Sequence, residues 1–232
     1  MQRKPIWAAI LLAATSGLTG CVPPELLEPL DNPAPRERVV VDNYNKYDFI
    51  PLNKKTILLN EEFNTNARGW RHVTSSPDYE TTVLGGQLNL FTRYTPQQNT
   101  ISFPELKSTD DFEIEASIKI DYTLSDDGCL LLWGGSTTAA RRWTYLQVDD
   151  EDDRLVAGNW QATFASYRFG YRTDEFNTYT VRKVKSTYYY FMNGTYLGKV
   201  PFVPLDGPVI GFEASDFTDM SVDYLRVKRL ML

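Results

Sequence analysis

From Asp111 to Tyr122 the chain reads DFEIEASIKIDY, and polar and apolar residues alternate throughout. Phe112, Ile114, Ala116, Ile118, Ile120 and Tyr122 share one parity; Asp111, Glu113, Glu115, Ser117, Lys119 and Asp121 share the other. Period-2 patterning predicts a β-strand with one face toward a core and the other toward water. The same type of short segment recurs from Thr56 to the end. TILLNEEF, GQLNLFTRY, NTISF, GCLLLW, RWTYLQV, RLVAGNW, ATFASYRF, TYTVRKV, TYYYFM, TYLGKV, PVIGFEA and MSVDYLRV all read as strands. Turn signals separate them: Gly85-Gly86, Asp127-Gly128, Asn193-Gly194 and Asp206-Gly207-Pro208. Asn193-Gly194 predicts a type I′ hairpin, which needs φ > 0 at both positions. TYYYFM is aromatic on both parities, which predicts burial on both sides. No segment keeps a 3.6-residue apolar period and no fixed-length repeat recurs, so the pattern predicts a two-layer antiparallel sandwich or jelly roll, not a propeller or solenoid.

The first 55 residues are patterned differently. Arg3 and Lys4 precede an apolar run from Ile6 through Leu18 that closes in LTGC, ending at Cys21. The run is short for a membrane span, which needs about 20 apolar residues, and has the layout of a secretory signal peptide over residues 1–20. LTGC resembles the lipobox of bacterial lipoproteins. The resemblance implies that Cys21 becomes the N-terminus and carries lipid on its sulfur, with each acyl CH₂ contributing about 0.8 kcal/mol of membrane affinity. Val22 follows, where an Asp would imply inner-membrane retention, so the expected location is the outer membrane. Residues 21–55 hold prolines at 23, 24, 29, 33, 35 and 51 and read as an extended linker, in which RVVVDNY adds at most an edge strand. The folded domain is then expected over 56–232.

Composition narrows the partners. The formal net charge is −6, and removing Arg3 and Lys4 with the leader takes it to about −8. No basic stripe is interleaved with aromatics, so nucleic acid is not an expected partner. The chain has two cysteines. With Cys21 lipidated, Cys129 has no disulfide partner, and its position in GCLLLWGG predicts a buried small hydrophobe.

GGQLNL, FEIEASIKI, NTYTVRKV leading into YYYFMNGTYLG, GPVIGFEAS and SVDYLRV follow one another in an order that resembles concanavalin A-like lectin/glucanase (LamG-like) jelly rolls. Trp70 after NTNARG is similar to the opening of such domains. The resemblance spans roughly Leu58 to Val227. It implies two curved sheets, the concave one often holding a glycan, in a superfamily that includes lectins, hydrolases, lyases and domains with no known ligand; fold by itself does not choose among them.

Glycan hydrolysis needs a carboxylate pair. Jelly-roll glucanases carry Glu-x-Asp-x-Glu on one strand, and the matching positions here are Glu113, Glu115 and Ser117, which lack the third carboxylate. Alternate strand residues lie about 6.5–7 Å apart, and glycosidase pairs about 5–5.5 or 6.5–9.5 Å apart, so distance permits Glu113 and Glu115. Lys119 on the same face favours their ionised forms, and a general acid needs a raised pKa. Glu113 and Glu115 are therefore read as a solvated strand face, or at most the lining of a cleft. His72 is the single histidine, so a His-based metal cluster is excluded; it is read as a surface or packing residue.

Two constellations are candidates for binding. Asp149, Asp150, Asp152 and Asp153 belong to DDEDD, whose mutual repulsion a Ca²⁺ ion would relieve, although the run lacks a calcium-loop spacing; a solvated acidic turn and no cofactor is the simpler expectation. In RRWTYLQV, Trp143, Tyr145 and Gln147 share one parity, and Trp160 on the next strand can join them. Aromatic faces stack on sugar C–H surfaces and amides bind hydroxyls. The pattern leaves open whether Trp143 and Tyr145 are core instead. The expected function is non-catalytic recognition of a glycan or envelope partner by a lipid-anchored protein. A glycan-active hydrolase or lyase, and a structural lipoprotein that holds another envelope protein, are the alternatives.

Overall fold

The computed structural model describes Tyr47 and residues 49–125, 128–138, 142–149, 154–168 and 175–232. The leader, Cys21, RVVVDNY, Asp150, Asp152 and Asp153 lie outside the described residues.

The described residues hold fourteen strands: β1 (Lys55–Glu61), β2 (Tyr79–Leu84), β3 (Gln87–Thr92), β4 (Gln97–Ser102), β5 (Phe112–Thr123), β6 (Cys129–Gly135), β7 (Thr144–Asp149), β8 (Arg154–Asn159), β9 (Ala162–Arg168), β10 (Asn177–Val184), β11 (Thr187–Met192), β12 (Thr195–Pro201), β13 (Val209–Ala214) and β14 (Thr218–Leu230). The described residues include a 3-10 turn at Leu52–Lys54 and no α-helix. An eight-stranded antiparallel sheet has the order β12-β11-β10-β5-β14-β3-β2, with β1 paired to the second half of β14. A six-stranded antiparallel sheet has the order β4-β13-β6-β7-β8-β9. The protein is a two-sheet jelly roll.

One parity of each central strand meets the opposite sheet. Phe112, Ile114, Ala116 and Ile118 of β5 join Val222, Leu225 and Val227 of β14 in a single core with Leu131 and Trp133 of β6 and Ile210 and Phe212 of β13. Trp133 ties the two sheets, its Nε1 donating to Tyr188 Oη of β11 at 3.2 Å. This satisfies the indole N–H and a phenol oxygen where water is excluded. Trp70 is buried against Phe63 and Phe212, with Nε1 donating to Glu61 Oε2 at 3.1 Å. Cys129 sits in the core, as its position predicts.

Turn chemistry follows the sequence. Asn193 and Gly194 have φ of 48° and 76° and close the β11–β12 hairpin; Gly85 and Gly86, at 65° and 79°, close β2–β3. TYYYFM is covered on both sides: Tyr188, Tyr190 and Met192 enter the core, while Phe191 packs under Arg182 and beside Tyr196.

Three sequence expectations are corrected. β2 (YETTVL) has too little alternation to be read as a strand, because the inward Thr81 is polar. Its hydroxyl accepts from Asn99 Nδ2 at 2.6 Å and donates to Arg71 O at 3.2 Å, so hydrogen bonds replace apolar burial. The linker does not run to residue 55. Ile50 is buried against Val184 and Leu230, with Tyr47 edge-on to Tyr189 at 5.2 Å, so the fold includes this segment. Two apolar side chains are enough to dock a short Pro-containing stretch. Finally, Glu113 is not solvated; its side chain is fully buried.

Candidate functional site

Glu113 shows what the outer face of the eight-stranded sheet does. Its carboxylate receives Lys55 Nζ at 2.8 Å, Arg182 Nε at 2.6 Å and Lys228 Nζ at 2.9 Å. These cations arrive from β1, β10 and β14, strands distant in sequence. Burial pushes the carboxyl upward, but the Arg182 charge and the hydrogen bonds from Lys55 and Lys228 outweigh it and hold the pKa at about 2. Lys228 also reaches Glu115 Oε2 at 3.4 Å, and Arg226 reaches Glu115 Oε1 at 3.7 Å. A carboxyl ionised down to pH 2 does not deliver a proton at neutral pH. The pair weighed for hydrolysis, and expected to be a solvated strand face, is instead an ion-pair cluster that fastens four strands.

The aromatic constellation lies on the opposite outer surface. Along β7, Thr144, Leu146 and Val148 are buried inward, so Tyr145 and Gln147 point outward, half-buried. Trp143, just before the strand, is also half-buried and outside the hydrophobic core. Strand register sets the neighbours: Tyr145 lies between Leu132 of β6 and Gly158 of β8, and Gln147 between Leu130 and Val156. The phenol of Tyr145 crosses Gly158, where an added Cβ would fall 2.5 Å from the hydroxyl oxygen. Only glycine lets the ring lie down on the sheet there.

Trp160 joins from the β8–β9 turn. Its backbone N–H donates to Trp143 O at 3.2 Å, which links the two tryptophans, and the residue is 45% exposed. Two residues missed by sequence reasoning fix the indole. Asp206 Oδ2 accepts from Trp160 Nε1 at 3.1 Å, and the Arg142 guanidinium lies 4.8 Å from the ring centroid. Asp206 reads in sequence as part of a turn, and only the chain crossing between β12 and β13 brings it here. The face continues across β6 to Glu213 of β13, opposite Leu130, and to Gln98 of β4, whose amide nitrogen donates to Glu213 Oε2. Gln98, Glu213 and Gln147 thus share one register row. Glu213 went unnoticed because one polar residue in VIGFEA reads only as alternation.

The arrangement offers two half-buried rings, one exposed indole held at both its N–H and its face, amides and a hydrogen-bonded carboxylate. These groups can stack on a flat apolar surface and bind hydroxyls, the requirements of saccharide recognition. Among the described residues no group of three His, Cys, Asp or Glu is arranged to hold a metal ion. Asp149 ends β7 opposite Arg154, and the rest of the acidic run lies outside the described residues. His72 is exposed.

No family model matches the sequence, and no curated protein matches it. Solved structures do match in shape. A protein of unknown function with a galectin-like fold from Bacillus subtilis superposes with a TM-score of 0.59 at 11% identity, over 76% of this chain and 98% of that one. The carbohydrate recognition domain of Emp47p gives 0.55 at 14%, covering 78% and 99%. An endo-β-1,3-glucanase from Pyrococcus furiosus gives 0.52 at 14%, covering 76% and 95%. At these identities the likeness is one of fold, and the chain shares the jelly roll found in lectin-type domains and glucanases alike.

Proposed function

We propose that this protein is a lipid-anchored component of a bacterial cell envelope whose jelly roll binds a glycan without cleaving it. The observation that carries the reading is the outward cluster of Trp143, Tyr145 and Trp160 beside Gln147, with Arg142 and Asp206 holding the Trp160 indole. A pre-positioned ring costs little entropy on binding. Trp160 and Tyr145 supply stacking surfaces, and Gln147, Glu213 and Asp206 supply acceptors for sugar hydroxyls. Binding without hydrolysis is supported by the state of Glu113 and Glu115, which are locked in ion pairs on the other sheet. The leader, the LTGC box and Val22 support acylation at Cys21 and placement in the outer membrane.

The test is a glycan and cell-wall-fragment array probed with the chain, with calcium present or chelated. Wild type should bind a defined glycan class, and Trp143→Ala and Trp160→Ala should each weaken binding about tenfold or more, as stacked aromatic anchors do. If wild type binds nothing with or without calcium, glycan recognition is abandoned in favour of a protein partner.

A further inference from the structure

One end of the sandwich, where β1 and β5 begin and β10 and β14 end, is apolar and basic at once. Leu52 and Phe49 are 82% and 79% exposed, the highest values among large apolar side chains in the described residues. Met231 and Leu232 add 47% and 58%. These side chains are held in place. Ile50, between Phe49 and Leu52, is buried against Val184 and Leu230, and the 3-10 turn then presents Leu52 outward. Met231 N donates to Lys54 O at 2.9 Å, and Thr56 Oγ1 approaches Met231 Sδ at 3.7 Å, so the C-terminal residues lie against this turn. Lys54 and Lys185 are exposed around them. Asp110, Asp111, Lys183, Lys185, Arg229 and Met231 are among the residues that line a recess of about 580 Å³ at the same end. Asp110 pairs with Arg229, and Asp111 accepts from Lys183 and from the backbone of Lys185, so the local acids are already engaged.

We infer that this end docks on an anionic lipid bilayer, with Phe49, Leu52, Met231 and Leu232 entering the interface and Lys54 and Lys185 meeting headgroup phosphates. Exposed apolar side chains flanked by exposed lysines are the chemistry of an interfacial contact. The chain as a whole has a formal net charge of −6, so a basic end orients it against a negative surface. The occupant is chosen by where the chain arrives. Tyr47, the first described residue after the Cys21-bearing segment, opens the stretch that carries Phe49 and Leu52. The inference rests on the reading that Cys21 tethers the chain to a bilayer. Docking would convert a loose tether into an oriented one, since a second contact on a chain already anchored is intramolecular and acts at high effective concentration.

The experiment uses the chain from position 21 carrying Cys21→Ala, which has neither leader nor acyl group but keeps every described residue. It is floated with vesicles of phosphatidylcholine, alone or with phosphatidylglycerol. Partition into the anionic vesicles, weakened by salt, is expected. Phe49→Ser/Leu52→Ser should lower it about tenfold or more, and Lys54→Gln and Lys185→Gln about fivefold each. All four positions are exposed, and unchanged circular dichroism checks the fold. No partition, or partition indifferent to Phe49→Ser/Leu52→Ser, overturns the inference; so does a concentration-dependent dimer that the double substitution abolishes, without vesicle binding. Because this chain is unacylated, its failure leaves the anchor standing if wild type stays with cell membranes. Conversely, vesicle binding by this chain survives a finding that Cys21 is not acylated.

Discussion

Glu113 is the residue on which the outer face of the eight-stranded sheet depends. Its folded pKa, about 2, lies below the ordinary 4.5. A depressed carboxyl contributes its stability in full above the unfolded pKa and loses it as pH falls through the folded one. The window is therefore from about pH 4.5 down to about pH 2, and the contribution at neutral pH is about 3 kcal/mol. Denaturant midpoints should fall steeply across that window. Glu113→Gln keeps the shape but leaves Lys55, Arg182 and Lys228 without their shared charge; it should cost about 3 kcal/mol at pH 7 and flatten the acid limb. An unchanged acid limb in the variant would show that other carboxylates control acid unfolding.

At the scale of elements, β1 and the segment before it close the fold. β1 runs along the second half of β14, and its first residue, Lys55, donates to both oxygens of Glu113 at 2.9 and 2.8 Å. Arg182 also donates to Tyr47 O at 2.6 Å, so the same cluster holds the incoming chain. A chain beginning at Thr56 lacks Lys55, Ile50 and Tyr47. It should be less stable than one beginning at Asn43 by about 3 kcal/mol or more, since a buried ion pair is broken and a satellite core opened. Equal thermal midpoints for the two would mean that the segment only rests on the sheet. The β7 strand makes the complementary point. Its inward Leu146 and Val148 secure it in the core, which turns Tyr145 and Gln147 to the outer face.

At the scale of the whole molecule, the two sheets divide the work. The six-stranded sheet presents the aromatic cluster outward, and the eight-stranded sheet presents the ion-pair cluster, with the chain entering at Tyr47 beside it. The proposed role, a tethered domain that binds a glycan, needs the aromatic face clear of the membrane, and the placement of that face and of Tyr47 on different sheets suits that need. Replacing Cys21 with Ala should move the protein from a membrane fraction that resists high salt to one that high salt releases, because several acyl chains hold stably where surface contacts alone are screened. Retention of that variant through a high-salt wash would remove the acylation reading.

Much of the fold was legible in the residues themselves because its rules are local. Alternation sets which side chains share a face, as in Phe112 to Tyr122, and Asn193-Gly194 reads as a turn because few other pairs accept positive φ twice. The parity of Trp143, Tyr145 and Gln147 was readable for the same reason. What covers a face is not local. Glu113 alternates as a solvated residue does, yet three cations from β1, β10 and β14 bury it, and no pattern within β5 records their approach. Asp206 meets Trp160 across 46 residues of chain while Arg142 reaches it only through the register of the β7–β8 hairpin, and β2 escaped notice because its inward Thr81 is satisfied by Asn99 of β4. Sequence alone determined strands, turns and the parity of the aromatic face; tertiary structure decided which sheet each strand joined and which outer face stayed open, because strand pairing is a long-range choice that a period of two does not encode.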